Sequence, residues 1–237
     1  MKLSVALAAY NGAAYMEEQL TSILQNLREG DEVVVSDDGS TDGTRDVVRA
    51  LAETDKRVKL IDGPQQGLIK NFEHALAACD GDIVFLSDQD DVWHADKVET
   101  VLACFEETGA LLVVHDAQMT DNERHVLSPS FFAFRGSRAG YAKNWWKNSY
   151  IGCCMAFKKE LLKTALPFAD RIPMHDQWLG LLAEKRGTVT FLPKVLLDYR
   201  RHEGTVTKDR HGKVSAMVSN RWQIGRAVAK RLREVKE

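Results

Sequence analysis

The segment Ile83-Val84-Phe85-Leu86-Ser87-Asp88-Gln89-Asp90-Asp91 sets the tightest limit on what this chain can fold into. An apolar run stops at three carboxylates within four positions. A short continuous apolar run bounded by polar residues fits a strand covered on both faces. The carboxylates at its end repel one another, and burying them without partners is costly. A hard divalent cation, which prefers oxygen ligands, relieves that conflict. In open α/β sheets ligands sit outside the carboxyl ends of the strands, which is where these acids fall. The competing reading is an acidic turn capping a helix over 93–108.

The flanking sequence supplies the rest of such a sheet. Leu3 to Ala9 is a continuous apolar run that breaks at Tyr10-Asn11-Gly12. It superficially resembles a leader peptide, but its shortness and its turn favour a first strand. A helix follows with Leu20, Ile23, Leu24 and Leu27 at helical spacing. Val33-Val34-Val35 is a second strand, ending in the polar loop 37–44. Val47, Val48 and Leu51 mark a helix, Val58 to Ile61 a third strand, and Ile69, Phe72 and Leu76 another helix before the strand into Asp88. Strand and helix alternate four times with short connections, which predicts a central, mostly parallel sheet with helices on both faces.

Beyond residue 110 the pattern loosens. Strands are expected over 110–115, 151–157, 188–192 and 195–199, and a helix opening at His175-Asp176-Gln177-Trp178. The aromatic stretch 131–146 has two readings, a platform on which sugar faces stack or a flap packed over the core. With no internal repeat and no low-complexity linker, residues 1–205 read as one domain: a nucleotide-binding half, 1–110, and an acceptor-binding half, 111–205. Residues 206–237 form a basic amphipathic helical extension.

Charge is unevenly spread. Residues 200–237 hold eleven Lys and Arg against four Asp and Glu, whereas residues 1–199 hold 21 against 30. A basic tail on an acidic body favours a phosphate-rich partner or an anionic surface. Val218, Trp222, Val228, Leu232 and Val235 form the predicted apolar stripe of that tail, which either docks on its own domain or lies on a membrane surface. No nucleic-acid reading motif accompanies it. The four cysteines, at 79, 104, 153 and 154, form no CxxC spacing and no disulfide framework, so a reducing, cytoplasmic setting is expected. No run of 18 apolar residues occurs, so no membrane-spanning helix is expected.

The dinucleotide fingerprint GxGxxG and the P-loop GxxxxGK[ST] are both absent. Two acidic strand ends remain, Asp37-Asp38 and Asp88-Gln89-Asp90-Asp91. An acid ending a second strand is placed for ribose hydroxyls or a base edge, or for capping the next helix. Together with a metal-type cluster, it makes a nucleoside diphosphate the economical ligand.

The chain resembles the family 2 glycosyltransferases of GT-A fold (nucleotide-diphospho-sugar transferase, Rossmann-like), especially bacterial rhamnosyltransferase-like members. The residues that carry the resemblance stand in the family's order over about 3–205. They are Ala8-Ala9-Tyr10-Asn11-Gly12, Ser36-Asp37-Asp38-Gly39-Ser40-Thr41-Asp42, Gly67 with Lys70-Asn71-Phe72, and Phe85 to Trp93. Further on come Asn148 with Gly152-Cys153, then His175-Asp176, then Tyr199-Arg200-Arg201-His202.

The resemblance implies a metal-dependent inverting enzyme. It would move a sugar from a UDP-sugar or dTDP-rhamnose to a hydroxyl of a glycan or lipid-linked acceptor in surface polysaccharide synthesis. Ala9, Tyr10 and Asn11 would cradle the base, and Asp38 the base or ribose. Lys70 would lie near the base or diphosphate. Asp88 would contact ribose or metal-bound water, and Asp90 would ligate Mn2+ or Mg2+. Asp176 would be the catalytic base, in a His-Asp version of the family's Glu-Asp pair; it is equally suited to capping a helix. Arg200 and His202 would lie over the diphosphate, with His202 also reaching the metal. Gly152, Cys153 and His175 would face the acceptor, with Trp93 and Trp178 walling the pocket. Peripheral membrane contact through the tail is a further expectation. A nucleotidyltransferase and a non-catalytic nucleotide-sugar-binding module are the alternatives. The first lacks its basic phosphate loop here, and the second would not need Asp176.

Overall fold

The structure is a computed structural model that describes residues 1–201 and 214–235 of the 237. The first half is the predicted alternation: β1 (Leu3–Ala9), α1 (Ala13–Leu24), β2 (Glu32–Asp37), α2 (Thr44–Thr54), β3 (Val58–Asp62), α3 (Leu68–Ala78) and β4 (Ile83–Ser87). β1 pairs in parallel with both β2 and β4, and β2 with β3, so the sheet begins in the order β3-β2-β1-β4. Every residue of β1, β2 and β4 is buried, which is why these strands are continuous apolar runs rather than alternating ones.

The second half is mixed. β5 (Val92–Trp93) and α4 (Lys97–Thr108) precede β6 (Leu112–Thr120), β7 (Val126–Ser128), α5 (Phe131–Arg135) and α6 (Tyr141–Trp146). Then come β8 (Met155–Lys158), α7 (Leu162–Ala165), α8 (His175–Arg186), β9 (Val189–Arg200) and α9 (Val214–Glu234). The sheet continues β4-β8-β6-β9-β5, with β7 on the side of β6. The β4–β8, β8–β6 and β9–β5 pairs are antiparallel and the β6–β9 pair is parallel.

Three expectations are corrected. The strand placed over 151–157 starts only at Met155, because Gly152–Cys154 turn as a 3-10 helix. The two late strands are one, β9, whose pairing with β6 shifts register between His115 and Asp116 and again before Gln118. The helix placed over 93–108 starts at Lys97, because Val92 and Trp93 pair with Asp198 and Leu197. That pairing matters for the site, since it clamps residues 88–91 between β4 and β5.

The tail helix docks on its own domain. Ile224 and Val228 are fully buried, Trp145 Nε1 donates to the Arg221 carbonyl at 2.8 Å, and Arg231 reaches the carbonyls of Thr164 and Pro167. The docked face keeps Val228 and Leu232 of the predicted stripe and adds Ile224, whereas Val218, Trp222 and Val235 are exposed. Among the described residues no helix is long and apolar enough to cross a membrane.

Candidate active site

The carboxyl ends of β1, β2 and β4 open into a cavity of about 960 Å3, closed on its far side by residues 148–152 and the start of α8. Its position follows from the sheet. Parallel strands end together, so Ala9, Asp38 and Asp88 arrive on one rim. Ala8, Ala9, Tyr10 and Asn11 line it from β1; Asp38 and Gly39 from β2; Asp88, Gln89 and Asp90 from β4; Gly152, His175 and Asp176 from the opposite side.

Several of these groups are held by hydrogen bonds. Asn11, at φ 49°, accepts from the Thr41 amide at 2.8 Å and donates its own amide to Ser40 Oγ at 2.9 Å. Asp38 accepts from the amides of Gly67 at 2.7 Å and Gln66 at 3.3 Å, which fixes the loop before α3 against the end of β2. Asp37 turns inward, where its carboxylate takes the amides of Gly39 and Ser40 and the Arg45 guanidinium. Gln19 of α1 donates to Ser87 Oγ at 2.7 Å and the Asp88 carbonyl at 2.8 Å, pinning the end of β4.

Two binding-rim residues were not legible as such. Gln89 bonds both backbone groups of Tyr10, accepting from its amide at 2.8 Å and donating to its carbonyl at 3.0 Å. Gly12 permits this, since a Cβ there would meet the Gln89 amide at 2.3 Å. In the sequence Gln89 is only a spacer between acids. Asn71 donates to the carbonyls of Ala9 and Ser36, tying β1 to β2 from α3. A polar residue on the buried face of a helix, beside Phe72, was the available signal.

The acidic cluster splits. Asp90 lines the cavity. Asp91 is buried, accepts from the Arg200 amide at 3.1 Å, and has its second oxygen without a hydrogen-bond partner among the described residues. Asp88, Asp91 and Cys153 each offer a ligand atom within 4.8 Å of the others. Burial pushes Asp88 up to about 7, and the charges of Asp90 and Asp176 add to it. Crowded carboxylates with an unpartnered buried oxygen are the donor set of a hard divalent cation, so these residues fit the implied metal. Behind them Lys97 is fully buried, donating to the Cys153 carbonyl at 2.9 Å over the Trp93 ring. Burial lowers its ammonium to about 8.

Across the cavity, Asp176 begins α8. Its Oδ1 accepts from the Gln177 amide and from Asn148 Nδ2 at 3.2 Å. Burial raises it to about 6 against those two hydrogen bonds, so it is ionised at neutral pH and basic enough to accept a proton. His175 lies beside it, stacked on Phe72 with ring centroids 4.0 Å apart.

Several predicted site residues lie elsewhere. Lys70 points along α3 to Glu73 at 2.6 Å, the i,i+3 neighbour, and does not line the cavity. Arg200 turns away, its guanidinium bonding Glu18 and the carbonyls of Asp90 and Asn122; Arg201 lines the cavity instead. Trp93 packs on Phe85 in the core, and Trp178 is buried with Nε1 on the Ala165 carbonyl, so neither walls the pocket. Cys153 is buried toward Asp88 and Asp91 rather than facing an acceptor. His202 lies outside the described residues. The aromatic stretch divides: Phe131 and Phe134 line the cavity, Phe132 packs on Phe191, and Trp145 bonds α9.

A sheet of this order with acids at its strand ends is that of a GT-A-fold glycosyltransferase. Residues 4–166 match the model of Glycosyl transferase family 2, and the chain belongs to that family. It is 26% identical over 241 residues to the dTDP-rhamnosyl transferase RfbG of Shigella flexneri, covering 91% of this chain and 80% of that one. Among solved structures, S. aureus TarS 1–349 in complex with UDP-GlcNAc superposes with a TM-score of 0.75 at 20% identity, covering 98% of this chain and 66% of that one. The mannosyltransferase PcManGT of Pyrobaculum calidifontis, in complex with GDP-Man and Mn2+, gives 0.68 at 24% identity, covering 98% and 64%. The chain spans from 38% to about four fifths of the first curated relatives it matches, and about two thirds of these solved chains.

Proposed function

We propose that this chain transfers a sugar, with inversion, from a UDP-sugar or dTDP-rhamnose to a hydroxyl of a glycan or lipid-linked acceptor in surface polysaccharide synthesis. The observation that carries the reading is one cavity with acids on the nucleotide rim and a single buried carboxylate, Asp176, opposite them. That opposition suits in-line displacement, with the nucleophile activated on one side and the leaving group held on the other.

Ala9, Tyr10, Asn11 and Asp38 hold the nucleoside. Asp90 would hold Mn2+ or Mg2+, with His202 as a further ligand and Asp88 at the ribose or metal-bound water, and the ion would supply positive charge at the diphosphate. Asp176 Oδ takes the proton of the acceptor hydroxyl, while Asn148 and the Gln177 amide keep it oriented. Arg201 lines the same cavity and would face the diphosphate. The support is the geometry above together with a relative whose name specifies dTDP-rhamnose, and structures bound to UDP-GlcNAc or to GDP-Man and Mn2+.

Residues 1–205 act as one catalytic unit with a nucleotide half and an acceptor half, to which α9 is an appendage. The exposed Trp146 and Trp222, with the exposed Arg226, give that appendage a face suited to an anionic membrane surface near a lipid-linked acceptor.

The test is a donor screen. The protein is incubated with Mn2+ and UDP-glucose, UDP-GlcNAc, GDP-mannose or dTDP-rhamnose, and nucleotide release and binding are followed with and without chelator. Metal-dependent binding or release from one donor supports the reading. No binding to any of them overturns it.

A further inference from the structure

His175 is 3% exposed and lines the cavity, yet neither ring nitrogen has a hydrogen-bond partner among the described residues. Buried polar side chains are nearly always paired, so an unpaired buried ring on a cavity wall points to a ligand. The ring is held for that purpose from both sides. One face stacks on the fully buried Phe72 at 24°. The Nε2 edge packs against Gly152, where a Cβ would come to 2.8 Å, so a glycine at 152 makes room for the ring.

The chemistry of the ring narrows the ligand. Burial lowers its pKa to about 3. It is therefore neutral, with one nitrogen donating and the other accepting. A neutral donor and acceptor pair suits a hydroxyl, whereas a phosphate calls for a cation or several N–H donors. Position narrows it further. Phe72 belongs to α3, in the half that carries Asp38, while Asp176 faces the acceptor. The sugar in transit has to lie between the nucleophile and the diphosphate, so a ring packed between α3 and Asp176 meets that sugar.

We propose that His175 is a specificity-determining residue that hydrogen-bonds a hydroxyl of the transferred sugar, with Gly152 and Phe72 fixing its ring in the cavity wall. This rests on the nucleotide-sugar reading above. It assigns His175 to the donor sugar rather than to the acceptor or to tuning of Asp176.

Calorimetry in Mn2+ tests it, using wild type, His175→Phe and His175→Asn against UDP, dTDP and the four donors of the screen. His175→Phe keeps the stack on Phe72 and removes both nitrogens. It leaves binding of the bare nucleoside diphosphate within about two-fold and weakens the nucleotide sugar about ten-fold, the scale of one hydrogen bond to a site that lacks water. His175→Asn recovers part of that loss. A set of monodeoxy analogues of the bound donor locates the hydroxyl: one analogue binds wild type about ten-fold worse than the parent sugar and binds His175→Phe no worse. Equal weakening of nucleotide and nucleotide sugar, unchanged affinity for both, or deoxy discrimination that survives in His175→Phe each overturns the proposal. Wild type that binds nucleotide sugar separates these outcomes from failure of the nucleotide-sugar reading, which shows as no binding by wild type at all.

Discussion

Asn148 donates from Nδ2 to Oδ1 of Asp176 at 3.2 Å, and it does so from the segment that follows α6, not from α8 itself. The carboxylate is thus oriented by two independent pieces of chain, the Gln177 amide within its own helix and Asn148 across the cavity wall. Neither bond is a helix cap: the cap position of α8 is Met174, no side chain caps it, and a capping carboxylate takes the amide two or three residues on. The second aligns one oxygen and leaves the other for a substrate proton, which is the geometry of a base. Asp176→Asn keeps the size and the contacts but cannot take a proton. It is expected to lower turnover by at least 100-fold, the general-base contribution, while nucleotide affinity measured by calorimetry stays within about two-fold. Turnover within a few-fold of wild type would remove Asp176 from the base role.

The same contact makes a prediction about pH. Asp176 is needed ionised, so turnover falls as pH drops through its pKa of about 6. Asn148 stabilises the charged form, so Asn148→Ala raises that pKa further. The acidic limb of the rate profile then moves up by about one pH unit, the worth of one hydrogen bond to a charged group. The variant loses more activity at pH 6.5 than at pH 8. A rate profile that drops uniformly, with its limb unmoved, would mean Asn148 only supports the wall.

The first half, residues 1–110, was legible because its central strands are buried on both faces and its connections are short. β1, β2 and β4 fall where their apolar runs fall, and Asp38, Asp88 and Asp90 reach the cavity because the strands carrying them end side by side. The chain beyond residue 110 was less legible for three physical reasons. β9 is one strand interrupted by register shifts, and Pro193 within it imitates a break. Trp93 and Trp178 stand beside acidic residues in sequence, but side chains adjacent along a strand or at a helix start point in different directions. Arg200 and Arg201 alternate across a strand end, so only one of them can face the cavity, and which one depends on the register of β9 against β6.

Metal binding should be visible without turnover. A ligand that binds only the folded protein stabilises it, by about 2.7 kcal/mol at a hundred-fold excess over its Kd. Mn2+ with UDP is expected to raise the thermal midpoint more than UDP alone, and a chelator to reverse the increment. Asp90→Ala should remove the Mn2+-dependent part and leave the smaller UDP-dependent part, because Asp90 is the proposed metal ligand whereas the residues proposed to hold the nucleoside lie at the ends of β1 and β2. An increment that survives in Asp90→Ala would place the ion on Asp88 and Asp91 instead.

The tail helix separates two apolar stripes that helical spacing alone does not distinguish. Trp222 is the largest apolar residue of α9 and is 66% exposed, whereas Ile224, two positions on, is fully buried with Val228 one turn further. Helical spacing alone does not choose between Trp222 and Ile224 as the inward residue beside Val228, and what decides is the partner. Trp145 and Trp146 of α6 bond Arg221 at backbone carbonyls and side chain, and Arg231 lays its guanidinium near the Trp178 ring, which fixes the rotation of α9 with Ile224 inward. Ile224→Ala therefore creates a cavity and should cost about 2–4 kcal/mol, lowering the thermal midpoint by roughly 5–15 °C. Trp222→Ala removes an exposed ring and should leave the midpoint nearly unchanged. It should instead weaken sedimentation of the protein with phosphatidylglycerol vesicles, since an interfacial tryptophan beside Arg226 contributes to binding at an anionic surface. Equal loss of stability in the two variants would mean that α9 packs with a different face from the one seen here.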